Sequence, residues 1–231
     1  MKKKFLAISL VVILLAVAIA GGTLAWFTDT DEVKNVFTIG SVEIVQNETN
    51  ADGSAFTQNQ QLLPIVNTAD PAADGNYIDK IITVSNTGKN PAYIRTYIAV
   101  PKALLGVLQI DVKTDNWSFV DSAETSIGGM SHMVYYFDYN YALTPQETSD
   151  KLLQGVYLDA ATDLNVYRDA NGQVTHAYFV FGGSEITGVN AAQPISVYVA
   201  TRAVQMEGFE GRTGTQVLDS VFGSTVPEFT A

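Results

Sequence analysis

From residue 26 onward the chain holds no sustained helical period; short runs alternate apolar and polar side chains and stop at clusters of Asn, Asp, Gly and Pro. A period of two commits such a chain to sheets. The longest run is Ile195 to Val204, where Ile195, Val197, Val199, Thr201 and Ala203 alternate with Ser196, Tyr198, Ala200, Arg202 and Val204. Ile78–Ser85 and Tyr93–Val100 flank the turn composition Asn86-Thr87-Gly88-Lys89-Asn90-Pro91 and predict a half-buried hairpin, with Ile94, Ile98 and Val100 on its inner face and Tyr93, Arg95 and Tyr97 on the other. Asp169-Ala170-Asn171-Gly172 predicts a second hairpin, joining a strand at Asn165–Arg168 to one at Val174–Phe181. Val134–Tyr139 and Val156–Leu158 read as further strands.

Helix signals are few. Thr144-Pro145-Gln146-Glu147 has the form of a capping box, but Ser149, Asp150 and Gly155 limit it to one or two turns, or to a loop. Pro101–Leu108 and Thr215–Phe222 are the other short candidates. About eight to ten short strands with so little helix predict an all-β fold, an antiparallel β-sandwich. Asn50–Asp74, rich in Asn, Gln, Asp, Thr and Ala, reads as a long surface excursion.

Composition narrows the chemistry. With no cysteine among 231 residues, disulfides, thiol nucleophiles and Cys-ligated metals are excluded. A net charge of −11 argues against nucleic acid or another polyanion as the main partner. A hydrophobic content of 47% is enough to build a sizeable core.

Lys2, Lys3 and Lys4 precede an uncharged run from Phe5 to Ala20, which is the pattern of an export signal. Small-x-small sites end at Ala20 and Ala25. Gly21-Gly22 would present the second site extended, so cleavage is expected after Ala25, with Thr23, Ala25 and Trp26 at the junction. The alternative is an uncleaved N-terminal transmembrane helix from Phe5 to Phe27. Residues 1–25 are thus expected to be a signal peptide and 26–231 one β-sandwich domain, with 26–46 its N-terminal arm and first strand. Cleavage would remove three lysines, leaving 10 basic against 24 acidic residues, a balance of −14.

The junction Gly21-Gly22-Thr23-Leu24-Ala25-Trp26-Phe27-Thr28-Asp29, followed by Val36-Phe37-Thr38-Ile39-Gly40-Ser41-Val42-Glu43-Ile44, resembles the TasA and camelysin family of Gram-positive bacteria. Ile82–Arg95 and Val199–Gln205, with Phe222-Gly223, resemble the wider group of proteins carrying this signal; residues 101–190 do not align. The resemblance implies a jelly roll, processing by a SipW-type signal peptidase, a secreted location at the cell surface or in a biofilm matrix, and self-association into fibres. It implies an arm that leaves its own subunit to add a strand to the next. Val36, Phe37, Ile39, Val42 and Ile44 are the candidate assembly strand, although the same residues equally suit a first strand of the home sandwich.

No catalytic, metal or cofactor residue is assigned. The two histidines, His132 and His176, lie in no His-Glu-x-x-His motif, so a camelysin-like metallopeptidase activity is not expected. Gly-x-Ser-x-Gly is also absent. Asp29, Asp31 and Glu32 read as solvated turn residues rather than a calcium site. In Tyr135-Tyr136-Phe137-Asp138-Tyr139-Asn140-Tyr141, the alternating Tyr135, Tyr139 and Tyr141 would suit a glycan-binding face of a surface adhesin, but ordinary core packing is the better reading.

Overall fold

A computed structural model describes residues 28–31, 42–58 and 60–229. They form strands β1 (Thr28–Asp31), β2 (Ile44–Thr49), β3 (Ile78–Asn86), β4 (Ala92–Pro101), β5 (Leu108–Val112), β6 (Trp117–Ile127), β7 (Met130–Tyr139), β8 (Leu153–Leu158), β9 (Asp163–Arg168), β10 (Val174–Phe181), β11 (Ser184–Glu185) and β12 (Tyr198–Gln205), and helix α1 (Gly214–Phe222). The fold is mostly β and antiparallel, as the period of two demands. Among the described residues β1-β12-β4-β7-β6 make one sheet, β2-β3-β8-β5 a second and β11-β10-β9 a third. One apolar core joins the first two: Ile44, Ile82, Val84, Val156 and Leu158 meet Ile94, Ile98, Phe137, Val199 and Ala203. Phe179 brings β10 to the same core.

The second hairpin forms as expected, with Ala177 opposite Val166 and Phe179 opposite Leu164. Gly172 turns the chain at φ 80°, and the Asp169 carboxylate accepts from the backbone N–H of Asn171 and Gln173. The strands predicted on either side of Asn86–Pro91 also form, but they do not pair. β3 belongs to one sheet and β4 to the other, so the turn is an arch between layers. Buried Asn86 is the reason: its Nδ2 donates to the Leu143 carbonyl at 2.8 Å and the Asn90 carbonyl at 2.9 Å, while its Oδ1 accepts from Gly88 N–H. These bonds occupy the groups that a tight two-strand turn would leave exposed.

β4 is buried on both faces rather than one, because α1 and the C-terminal segment cover the side carrying Arg95 and Tyr97. β12 begins at Tyr198, not Ile195, and the longest strand is β6, which the sequence reading missed. Ser, Asp, Glu and Thr dilute the apolar residues of β6, and its register breaks between Phe119 and Asp121. Thr144–Glu147 is a single turn with Pro145 second and Gln146 at φ 66°, closed by Glu147 N–H to the Thr144 carbonyl. Residues 102–104 make a short 3-10 turn, and α1 starts with a reciprocal Thr213/Gln216 capping box. No helix among the described residues is long and apolar enough to cross a membrane; residues 1–25, where the signal helix is expected, lie outside them.

Candidate strand-exchange edge

β12 pairs with β4 over its whole length, from Tyr198 opposite Ala99 to Gln205 opposite Ala92. Among the described residues its other edge is covered by β1, with Thr28 opposite Val204 and Asp31 opposite Thr201. Asp29 and Asp31, expected in a turn, are therefore strand residues; Glu32 lies outside the described residues. Each net hydrogen bond contributes about 0.5–1.5 kcal/mol, while ordering each residue's backbone costs about 1–2 kcal/mol. Main-chain pairing alone leaves β1 near balance.

The arm is anchored farther along. Val42 and Ile44 are 0% and 1% exposed in the home core, and the Glu43 carbonyl accepts from Thr87 and Gly88 N–H. Gln46 on β2 then ties the layers together. Its Nε2 donates to the Val199 carbonyl at 3.3 Å, its Oε1 accepts from Thr201 Oγ1 at 2.9 Å, and Thr201 and Thr96 share a buried hydrogen bond of 2.9 Å. Of the five candidate assembly residues, Val42 and Ile44 thus take the home-sandwich placement, one of the two that the sequence allows. Val36, Phe37 and Ile39 fall outside the described residues, as do Thr23, Ala25 and Trp26 at the expected cut.

The sheet's outer face beside this edge is closed. Arg95 donates through Nε and Nη2 to both Asp138 oxygens at 2.6 and 2.9 Å, again through Nη2 to Asp219 at 2.7 Å, and through Nη1 to the Gly223 carbonyl at 3.2 Å. A cation here also complements the C-terminal end of α1. Burial opposes the charge on Arg95, and the bonds to Asp138 and Asp219 overcome it and hold the guanidinium protonated. Arg202 donates to the Thr225 carbonyl and lies over the Tyr97 and Phe222 rings. Val226 and Phe229 pack against the cluster of Tyr97 and Tyr136, and burial raises both phenols above their ordinary value.

The aromatic run is divided between core and surface. Tyr139 is 6% exposed, packs on Trp117 and donates to Asp150; Tyr135 is half-buried against the core; only Tyr141 of the three is exposed, at 59%. Tyr135 and Tyr139 thus follow the core-packing reading, and Tyr141 lies at the surface. His132 is buried with Nδ1 at 2.9 Å from the Met130 carbonyl, whereas His176 is exposed on β10, so the two imidazoles occupy separate sheets. Among the described residues no group of three His, Asp or Glu is placed to hold a metal ion.

Sequence reasoning missed Arg95, Asp138 and Gln46. No local signal marks the first pair, because they sit 43 residues apart and meet only through the β4–β7 register. No family model, curated protein or solved structure matches the chain.

Proposed function

We propose that the chain is an exported, non-catalytic subunit of a cell-surface or matrix fibre, similar to the TasA and camelysin family, with a jelly-roll sandwich and a SipW-type peptidase as its processing partner. The observation that carries this reading is the edge position of β1. The strand just beyond the expected cut lies at the edge of its sheet, with Thr28–Asp31 paired to β12, while Val42 and Ile44 fix the chain behind it. Removing residues 1–25 would free the arm's leading end. Moving β1 from its own β12 to the β12 of the next subunit exchanges one set of hydrogen bonds for an equivalent set, so concentration and the ordering of the arm decide the balance.

The absence of native cysteine allows a direct test. Thr30 lies opposite Arg202, and facing antiparallel residues have Cα atoms about 4.5–5.5 Å apart, within the usual disulfide range. In Thr30→Cys/Arg202→Cys, oxidation should lock the arm at home and keep the processed chain from forming fibres, and reduction should restore fibres visible by electron microscopy. When the two single variants are mixed, intersubunit disulfides should form. Fibres that grow equally well from the locked chain overturn the proposal, as does an extracellular chain whose N-terminus is not Trp26.

A further inference from the structure

β9 is a sheet edge without the protection that the other edges carry. β6 bears Asp121 and Glu124 and a register break; β5 is five residues long with Asp111 next to a similar break. β2 carries Glu48, and Ala55 pairs with Thr49 at its far end; β1 has two aspartates in four residues. β9 runs six residues, all exposed, and its interior Leu164-Asn165-Val166-Tyr167 has no charge, proline or glycine. Its inner edge pairs with β10, and no described strand pairs with its outer edge.

The segment is also complementary to itself. Two copies related by a two-fold axis normal to the sheet can place Asn165 opposite Asn165. Leu164 of each copy then falls opposite Val166 of the other on one face, and Asp163 opposite Tyr167 on the other face. Leu164 and Val166 are 52% and 42% exposed in the single chain, and this register covers both. Moving one pair towards the C-terminus sets Asp163 against Asp169 at both ends, and moving the other way leaves Val166 and Tyr167 without strand partners.

We propose that β9 is a self-pairing edge, through which two copies of this chain join antiparallel over Asp163–Tyr167 and merge their three-stranded sheets into one. This contact is separate from the β1–β12 edge. Each subunit would have one contact along a fibre and another to its side.

The processed full-length chain carrying Asn165→Cys tests the register. Facing Cβ atoms about 4.5–5.5 Å apart approach the disulfide range, and a held pair reacts as an intramolecular one. Oxidation should therefore give a covalent dimer about tenfold faster or more than Thr175→Cys, on exposed β10. In the oxidised Thr30→Cys/Arg202→Cys chain, whose arm is locked at home, Val166→Lys should turn the dimer seen by sedimentation velocity into a monomer with an unchanged far-UV spectrum. Equal cross-linking at positions 165 and 175, or a dimer that survives Val166→Lys, overturns the inference. Fibres that fail while Asn165→Cys still cross-links count against strand exchange alone, and fibres that form with no β9 cross-link count against this contact alone.

Discussion

Arg95 shows how a single side chain can organise a face. Its side chain is 1% exposed and that of Asp138 is 2%, so removing either leaves a buried charge without its partner. Asp138→Ala should cost about 3–5 kcal/mol in urea unfolding. Asp219→Ala, whose carboxylate is 54% exposed, should cost less than about 1 kcal/mol. Arg95→Met combined with Asp138→Leu should recover most of the Asp138→Ala loss, since an apolar pair leaves no charge stranded. If Asp138→Ala unfolds at the same urea concentration as the parent, the pair does not hold the face. The sequence hid this arrangement, because Arg95 alternates with Tyr93 and Tyr97 as a solvent-facing residue would. The Asn171-Gly172 turn was readable for the opposite reason: a positive φ is a local demand, and local residues meet it.

Strands were more legible than their partners. β3, β4, β10 and α1 follow from periodicity and turn chemistry, yet the arch between β3 and β4 depends on where the Leu143 carbonyl lies, which no spacing encodes. β6 was illegible because an edge strand needs few apolar residues. The β3–β8 pairing rests on one residue of minimal size. Gly155 lies opposite Asp79 on β3 and Asp111 on β5, with the Tyr77 ring upon it. A Cβ at this position would sit 2.4 Å from Tyr77 Cε1 and Cζ and 2.5 Å from the Ile78 carbonyl. Gly155→Ala should therefore cost about 1–3 kcal/mol. Adding Tyr77→Ala should not rescue it, because the Ile78 carbonyl is backbone and cannot step aside. Full recovery in the double variant, read by denaturant titration, would locate the strain in the ring alone.

For the whole molecule, the titrating groups define a plateau. The Asp52, Asp74, Glu124, Glu147, Glu185 and Glu210 carboxyls are held below their ordinary values, chiefly by hydrogen bonds from Ser54, Asn67 N–H, Lys102, Thr144, Tyr167 and their local backbone respectively. Their contribution is complete above the ordinary values of 3.8 and 4.5 and is lost as pH falls through the lowered ones. Burial raises the Tyr77, Tyr97, Tyr136 and Tyr139 phenols, whose contribution is complete below 10.0 and declines above it. The melting temperature should be level between these limits, falling on the acid side and again where tyrosine ionisation begins. Self-association should meanwhile rise as pH falls towards the isoelectric point, about 4.4 for the full chain and lower once three lysines are removed, where mutual repulsion vanishes. A melting temperature that falls steadily from pH 8 to pH 5 would contradict this. The position of β12 adds a clock. β6 and β7 zip as a hairpin and β4 lies close before them in the chain, but of the described strands β12 is the last made and β1 the first. The arm therefore passes the whole of synthesis without a partner. Docking at home is then a long loop closure, slow and indifferent to dilution, whereas capture by another newly made β12 is a collision that quickens with crowding. On the strand-exchange proposal, the chain should remain single when made sparsely and join its neighbours when made in bulk.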